Sequence, residues 1–91
     1  MAELDALQAA LAAEQAIVYG YGVVGAHLSG ASRTYAMTRL VAHQTLRDRI
    51  AALVADQGAA PAPALPAYQV PFPVTDATSA RQLAAHLEVG A

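Results

Sequence analysis

Ala13-Glu14-Gln15-Ala16-Ile17-Val18-Tyr19-Gly20-Tyr21-Gly22-Val23-Val24-Gly25-Ala26-His27-Leu28 admits two readings that lead to different folds. Gly20, Gly22 and Gly25 spell the G-x-G-x-x-G of a dinucleotide-binding turn. That turn needs a strand before it, a helix opening on it, and an acidic residue about 20 residues further on. Here the preceding residues, Leu4 to Ala13, are rich in Ala, Leu, Gln and Glu, which favour helix. No acidic residue lies between Glu14 and Asp48. The same stretch also continues a ladder of Leu4, Leu7, Leu11, Glu14, Val18, Tyr21, Gly25 and Leu28, stepping by three and four. The spacing predicts one long helix. Glycine inside a helix costs about 0.5–1 kcal/mol relative to alanine, so close approach of a neighbouring helix or of a ligand is expected at these glycines.

Working outward, α-helix is expected from Ala2 to Leu28, with a stop at Ser29-Gly30. Ser32 is placed to cap a second helix over 33–57, closed by Gly58. Its inner positions, Ala36, Leu40, His43, Ile50, Leu53 and Val54, again step by three and four. A connection this short forces an antiparallel hairpin, each arm about 40 Å long. Residues 59–74, A-A-P-A-P-A-L-P-A-Y-Q-V-P-F-P-V, hold all five prolines, which exclude helix and sheet interior and leave an extended crossover. Leu65, Tyr68, Val70, Phe72 and Val74 predict that this crossover lies along a helix surface. A third helix starts at Thr75 or Asp76 and carries Leu83 and Leu87. The expected fold is all-α: a single domain over 1–91 with three-quarters of a four-helix bundle and one crossover. The third helix reads as cut off mid-course, and the missing quarter leaves an apolar groove that a second copy or another protein would cover.

Composition narrows the function classes. Ninety-one residues allow one small core, and twenty-four of them are alanine. A formal charge of −2 without basic clusters argues against nucleic acid. With no cysteine there is no disulfide and no thiolate metal site. The acidic start, Glu3 and Asp5, is unlike a secretory signal, and a cytoplasmic location is expected. The eighteen uncharged residues between Glu14 and Arg33 approach the length of a membrane span, but they include Gln15, His27, two serines and two tyrosines, so a buried soluble helix is the better account.

Glu14 stands alone among apolar neighbours, and a buried carboxylate must be paired or metal-bound. Pairing with an arginine or histidine of the second helix is the simpler outcome, with Arg47 the natural arginine. The sharper outcome is an iron or manganese site in the bundle core, where Glu14 and His43 could face each other and the third helix offers His86 and Glu88. Such bundle sites use Glu-x-x-His pairs and about six ligands, and Leu40 stands where the glutamate before His43 should be. His86 and Glu88, two apart, face different sides of a helix. No cofactor is therefore expected within one chain, although two chains together could supply enough ligands. No nucleophile–base pattern is present. The tyrosines read as packing residues with a polar tip.

The stretch from Ala13 to Ala26 resembles a ferritin-like family of unknown function from Ala- and Arg-rich actinobacterial proteomes (domain of unknown function 4439). That family tends to read A-E-H-A-A-V-Y-A-Y-G-V-V-G-A there. The likeness continues through His43 with Arg47-Asp48, Pro66-Ala67-Tyr68 with Pro71-Phe72-Pro73-Val74, and Leu83-Ala84-Ala85 with Leu87-Glu88. It implies a ferritin-like bundle whose fourth helix lies beyond this sequence, and it implies no reaction. Carried over residue by residue, Glu14, His43 and Glu88 match motif positions that would face the core, while Gln15 stands where the family often has His. The expected function is non-catalytic, through self-association or docking on a larger assembly. The competing expectation is a metal-binding protein with a site shared between chains.

Overall fold

The computed structural model describes residues 1–90, which form three helices and no strand: α1 (Ala2–Ala26), α2 (Gly30–Asp56) and α3 (Ala77–Gly90). The helical reading of the glycine-rich stretch holds, since Gly20, Gly22 and Gly25 all lie inside α1. Two of the three glycines receive a neighbour. Leu87 of α3 rests where a Cβ on Gly20 would stand, its methyls 2.8 Å away, and the Met37 side chain of α2 occupies the equivalent space over Gly25. Gly22 faces open space. No helix among the described residues is long and apolar enough to cross a membrane.

α1 is the central element. It buries Leu11, Glu14, Gln15, Ile17, Gly20, Tyr21, Val24 and Gly25, a face wider than one stripe, because α2 packs on one side of it and the crossover with α3 on the other. α2 buries only Ala36, His43 and Val54, and α3 only Ala80 and Leu83. Ile17, Tyr21, Val24, Ala36, Ala80 and Leu83 form the shared core. Burying a side chain such as Leu83 or Val24 stabilises the fold by about 1.5–3 kcal/mol.

The crossover climbs α1 from its start. Gln8 donates to the Ala60 carbonyl and accepts from the Ala62 N–H, both at 2.8 Å. Gln15 donates to the Ala62 carbonyl at 2.8 Å, and Tyr68 packs on Tyr19 with ring centroids 5.6 Å apart. The prolines remove N–H donors, so these glutamine amides take over backbone pairing that a sheet or helix would otherwise supply. Tyr68, Val70, Phe72 and Val74 alternate as half-buried residues along the extended chain, whereas Leu65, expected among them, is 58% exposed. α3 then runs back down, so α2 and α3 are both antiparallel to α1. Asp76 caps α3: its Oδ1 accepts from the Ser79 N–H at 2.8 Å, while the Ser79 hydroxyl accepts from the Asp76 N–H at 3.2 Å.

The hairpin turn lies earlier than the sequence suggests. α1 ends at Ala26 rather than Leu28, and α2 opens at Gly30 with Ser29 at its N-cap, displacing Ser32 from that role. Gly30 adopts φ +58°, a left-handed conformation that glycine takes without steric cost, which reverses the chain within a few residues. Gly58, at φ +79°, closes α2 as expected.

Candidate functional site

Glu14 sits on α1 about four turns from its start, His43 midway along α2, and Glu88 in the last turn of α3. The fold brings all three together. His43 is the centre: its Nδ1 lies 2.6 Å from Glu14 Oε1 and its Nε2 lies 2.9 Å from Glu88 Oε2. Glu14 and His43 are 6% and 5% exposed, so this pair is largely buried, while the Glu88 side chain remains 37% exposed. Two further residues complete the cluster. The Tyr21 hydroxyl donates to Glu88 Oε2, and Arg39 Nη2 donates to Glu88 Oε1 at 2.6 Å. The Tyr21 ring stacks on the His43 imidazole, with centroids 5.6 Å apart and planes 21° from parallel.

The electrostatics follow from this packing. Burial by itself would push the His43 imidazole down, but hydrogen bonds to Glu14 and Glu88 outweigh it and the net shift is upward. Burial likewise opposes ionisation of Glu88, yet the donors Tyr21, His43 and Arg39 overcome it and hold its carboxyl at about 2. Burial, then the hydrogen bond to Glu88, raises the Tyr21 phenol to about 12. The contacts therefore favour the charged imidazole, with Glu88 ionised, the Tyr21 phenol neutral and the Arg39 guanidinium on the far oxygen of Glu88. No buried side-chain nitrogen or oxygen among the described residues lacks a hydrogen-bond partner.

In this arrangement Glu14, His43 and Glu88 bond to one another, with a carboxylate oxygen facing each ring nitrogen of His43. Among the described residues, no group of three or more His, Cys, Asp or Glu is placed to hold a metal ion. Arg47 does not reach Glu14; it pairs with its neighbour Asp48 at 3.0 Å. His86 faces away from Glu88 and packs edge-on against Phe72. Tyr21 and Arg39 were missed as site residues, although the spacing held a signal. Tyr21 is seven after Glu14 and Arg39 four before His43, so each shares a helix face with a flagged residue.

Beside the cluster, α1, α2 and α3 enclose an open groove of about 410 Å³. Tyr21, Val24 and Leu28 form its floor, Tyr35 and Ala36 one wall, and Arg81 and Ala84 the other. Tyr21 thus belongs to both features: its ring faces the groove while its hydroxyl serves Glu88.

The sequence profile described as Domain of unknown function (DUF4439) matches residues 6–91, so the chain belongs to that family. Its structure is similar to that of a conserved hypothetical protein, Rv2844, from Mycobacterium tuberculosis, with a TM-score of 0.88 and 33% sequence identity. The match covers 93% of this chain and 64% of that one, so the chain spans less than two thirds of the solved relative. No functionally curated protein matches.

Proposed function

We propose that this domain works by association rather than catalysis: it is a ferritin-like partial bundle whose open groove seats a helix from a second copy of the chain. The groove itself carries the reading. It is open and lined mostly by apolar side chains, and further along α2 the exposed Leu46 and Leu53, at 41% and 46%, continue the face that Tyr35, 69% exposed, begins at the groove. Steps of eleven and seven residues put these three on one face of α2. The chain therefore offers both an apolar groove and an apolar helix face. The polar cluster fits the same reading, because Glu14, His43, Tyr21, Arg39 and Glu88 hydrogen-bond to one another.

Light scattering coupled to size exclusion at micromolar concentration tests this. A stable dimer is expected, and Tyr35→Glu, which places a carboxylate on the groove wall, should return it to monomer without loss of helicity. A well-folded wild-type monomer at those concentrations overturns the proposal.

A further inference from the structure

One imidazole lies between two carboxylates here, and a neutral imidazole has one N–H to give. Both contacts are satisfied only while His43 carries both protons. When it loses one, either Glu14 or Glu88 must face a ring lone pair at hydrogen-bond distance. The surroundings decide which. Glu14 is buried and has no other partner among the described residues, so losing its donor would strand a charge away from water. Glu88 is over a third exposed and keeps Tyr21 and Arg39. The remaining proton therefore stays on Nδ1, facing Glu14, and the Nε2 lone pair turns on Glu88.

We propose that His43 is a proton-operated latch on the last turns of α3: doubly protonated, it adds its own bond to those by which Arg39 and Tyr21 hold Glu88, and on losing a proton it keeps Glu14 and lets go of Glu88, so that α3 is held less firmly. What makes this more than a local rearrangement is how α3 is attached. It packs along α1 and touches α2 only slightly, and among the described residues the polar links between α2 and α3 run through Glu88, to Arg39 and His43. The charged and titratable groups facing His43 are Glu14 and Tyr21 from α1 and Glu88 from α3, with Arg39 of its own helix on the far oxygen of Glu88. Tyr68, in the crossover, is stacked on Tyr19 instead. Deprotonation thus acts on one movable partner.

Nuclear magnetic resonance on the whole chain tests the latch by two readouts in one titration. The His43 ring signals report its protonation, and amide exchange, corrected for intrinsic pH dependence, reports opening of residues 84–90. Protection there should fall on the order of tenfold as His43 deprotonates, the scale of one charge-assisted hydrogen bond, while α1 and α2 stay unchanged. In Glu88→Gln the ring still titrates, but the step in α3 protection should vanish. An α3 whose protection ignores the titration of His43 overturns the proposal. So does a step of the same size in Glu88→Gln, or a His43 that stays in one protonation state from pH 5 to 9.

Discussion

Glu14 and His43 can be removed one at a time or together, and the three outcomes differ sharply. His43→Leu leaves the Glu14 carboxylate 6% exposed without its donor, and Glu14→Leu leaves the imidazole facing hydrocarbon on its Nδ1 side. Breaking one side of a buried ion pair costs about 3–5 kcal/mol. A 91-residue domain has a total stability of about 5–13 kcal/mol, so each single variant should lose a large share of it. On a domain of this size each kcal/mol shifts Tm by about 4–8 °C, so both should melt at least 12 °C below the wild type. The double variant removes both charges and fills the space with hydrocarbon, which is often neutral or stabilising by about 1–4 kcal/mol. Glu88 does not spoil the comparison, because Tyr21 and Arg39 hold it independently of the imidazole. Urea unfolding followed by far-ultraviolet circular dichroism at pH 6 gives all four stabilities. The double variant should lie within about 1 kcal/mol of the wild type, far above the sum of the single losses. If the two losses simply add, the pair is not the coupled buried unit described here.

Further outcomes follow from the same structure. Gly22→Ala adds a methyl to an exposed helix-interior position with nothing within 4 Å, so stability should rise by about 0.5–1 kcal/mol. Gly20→Ala gains the same propensity but must displace Leu87, and its urea midpoint should fall below that of Gly22→Ala. Stability should also peak in mildly acid solution. His43, raised in the fold, contributes fully below its ordinary 6.5 and loses that contribution as pH rises through its folded value. Glu88, lowered to about 2, contributes above its ordinary 4.5 and loses that contribution as pH falls toward 2. Urea midpoints measured from pH 3 to 9 should therefore be highest between about 4.5 and 6.5, and a profile still rising from pH 6 to 9 would contradict the assignment.

Periodicity carried the helices and their antiparallel order, because a 3.6-residue repeat is imprinted by burial on one face. It also flagged Glu14 and His43, since a polar residue on an apolar stripe stands out, and an antiparallel hairpin lets the two face each other. Glu88 was not separable from His86 by spacing and came from the family resemblance. The partner of Glu14 was not legible. Arg47 sits one turn beyond His43 and shares its face, yet it is a long, half-exposed side chain that reaches solvent and Asp48 instead. Tyr21 was legible as a core residue but not as a donor, since its ring and its hydroxyl do different work. The start of α2 was misplaced because two serines stood near the turn. Gly30, the residue able to adopt positive φ, decided between them.

Latch and groove share a wall, and that has a thermodynamic consequence. Arg81, Ala84 and Glu88 step by three and four along α3, so the face that lines the groove is the face that carries the latch. Tyr21 connects them again from α1. On the proposed dimer, a helix seated in the groove would pack against α3 in its fastened position and so favour the state in which His43 holds both protons. Linkage is reciprocal: if protonation strengthens association by some factor, association must raise the proton affinity of His43 by the same factor. Dimer dissociation constants from dilution at pH 5.5 and 8.5 should therefore differ, with tighter binding at the lower pH. The His43 pKa should be higher at concentrations where the dimer dominates than where it dissociates. Glu88→Gln should dimerise equally at both values. Association that is tight but indifferent to pH would leave the groove as the interface while removing any coupling to the latch.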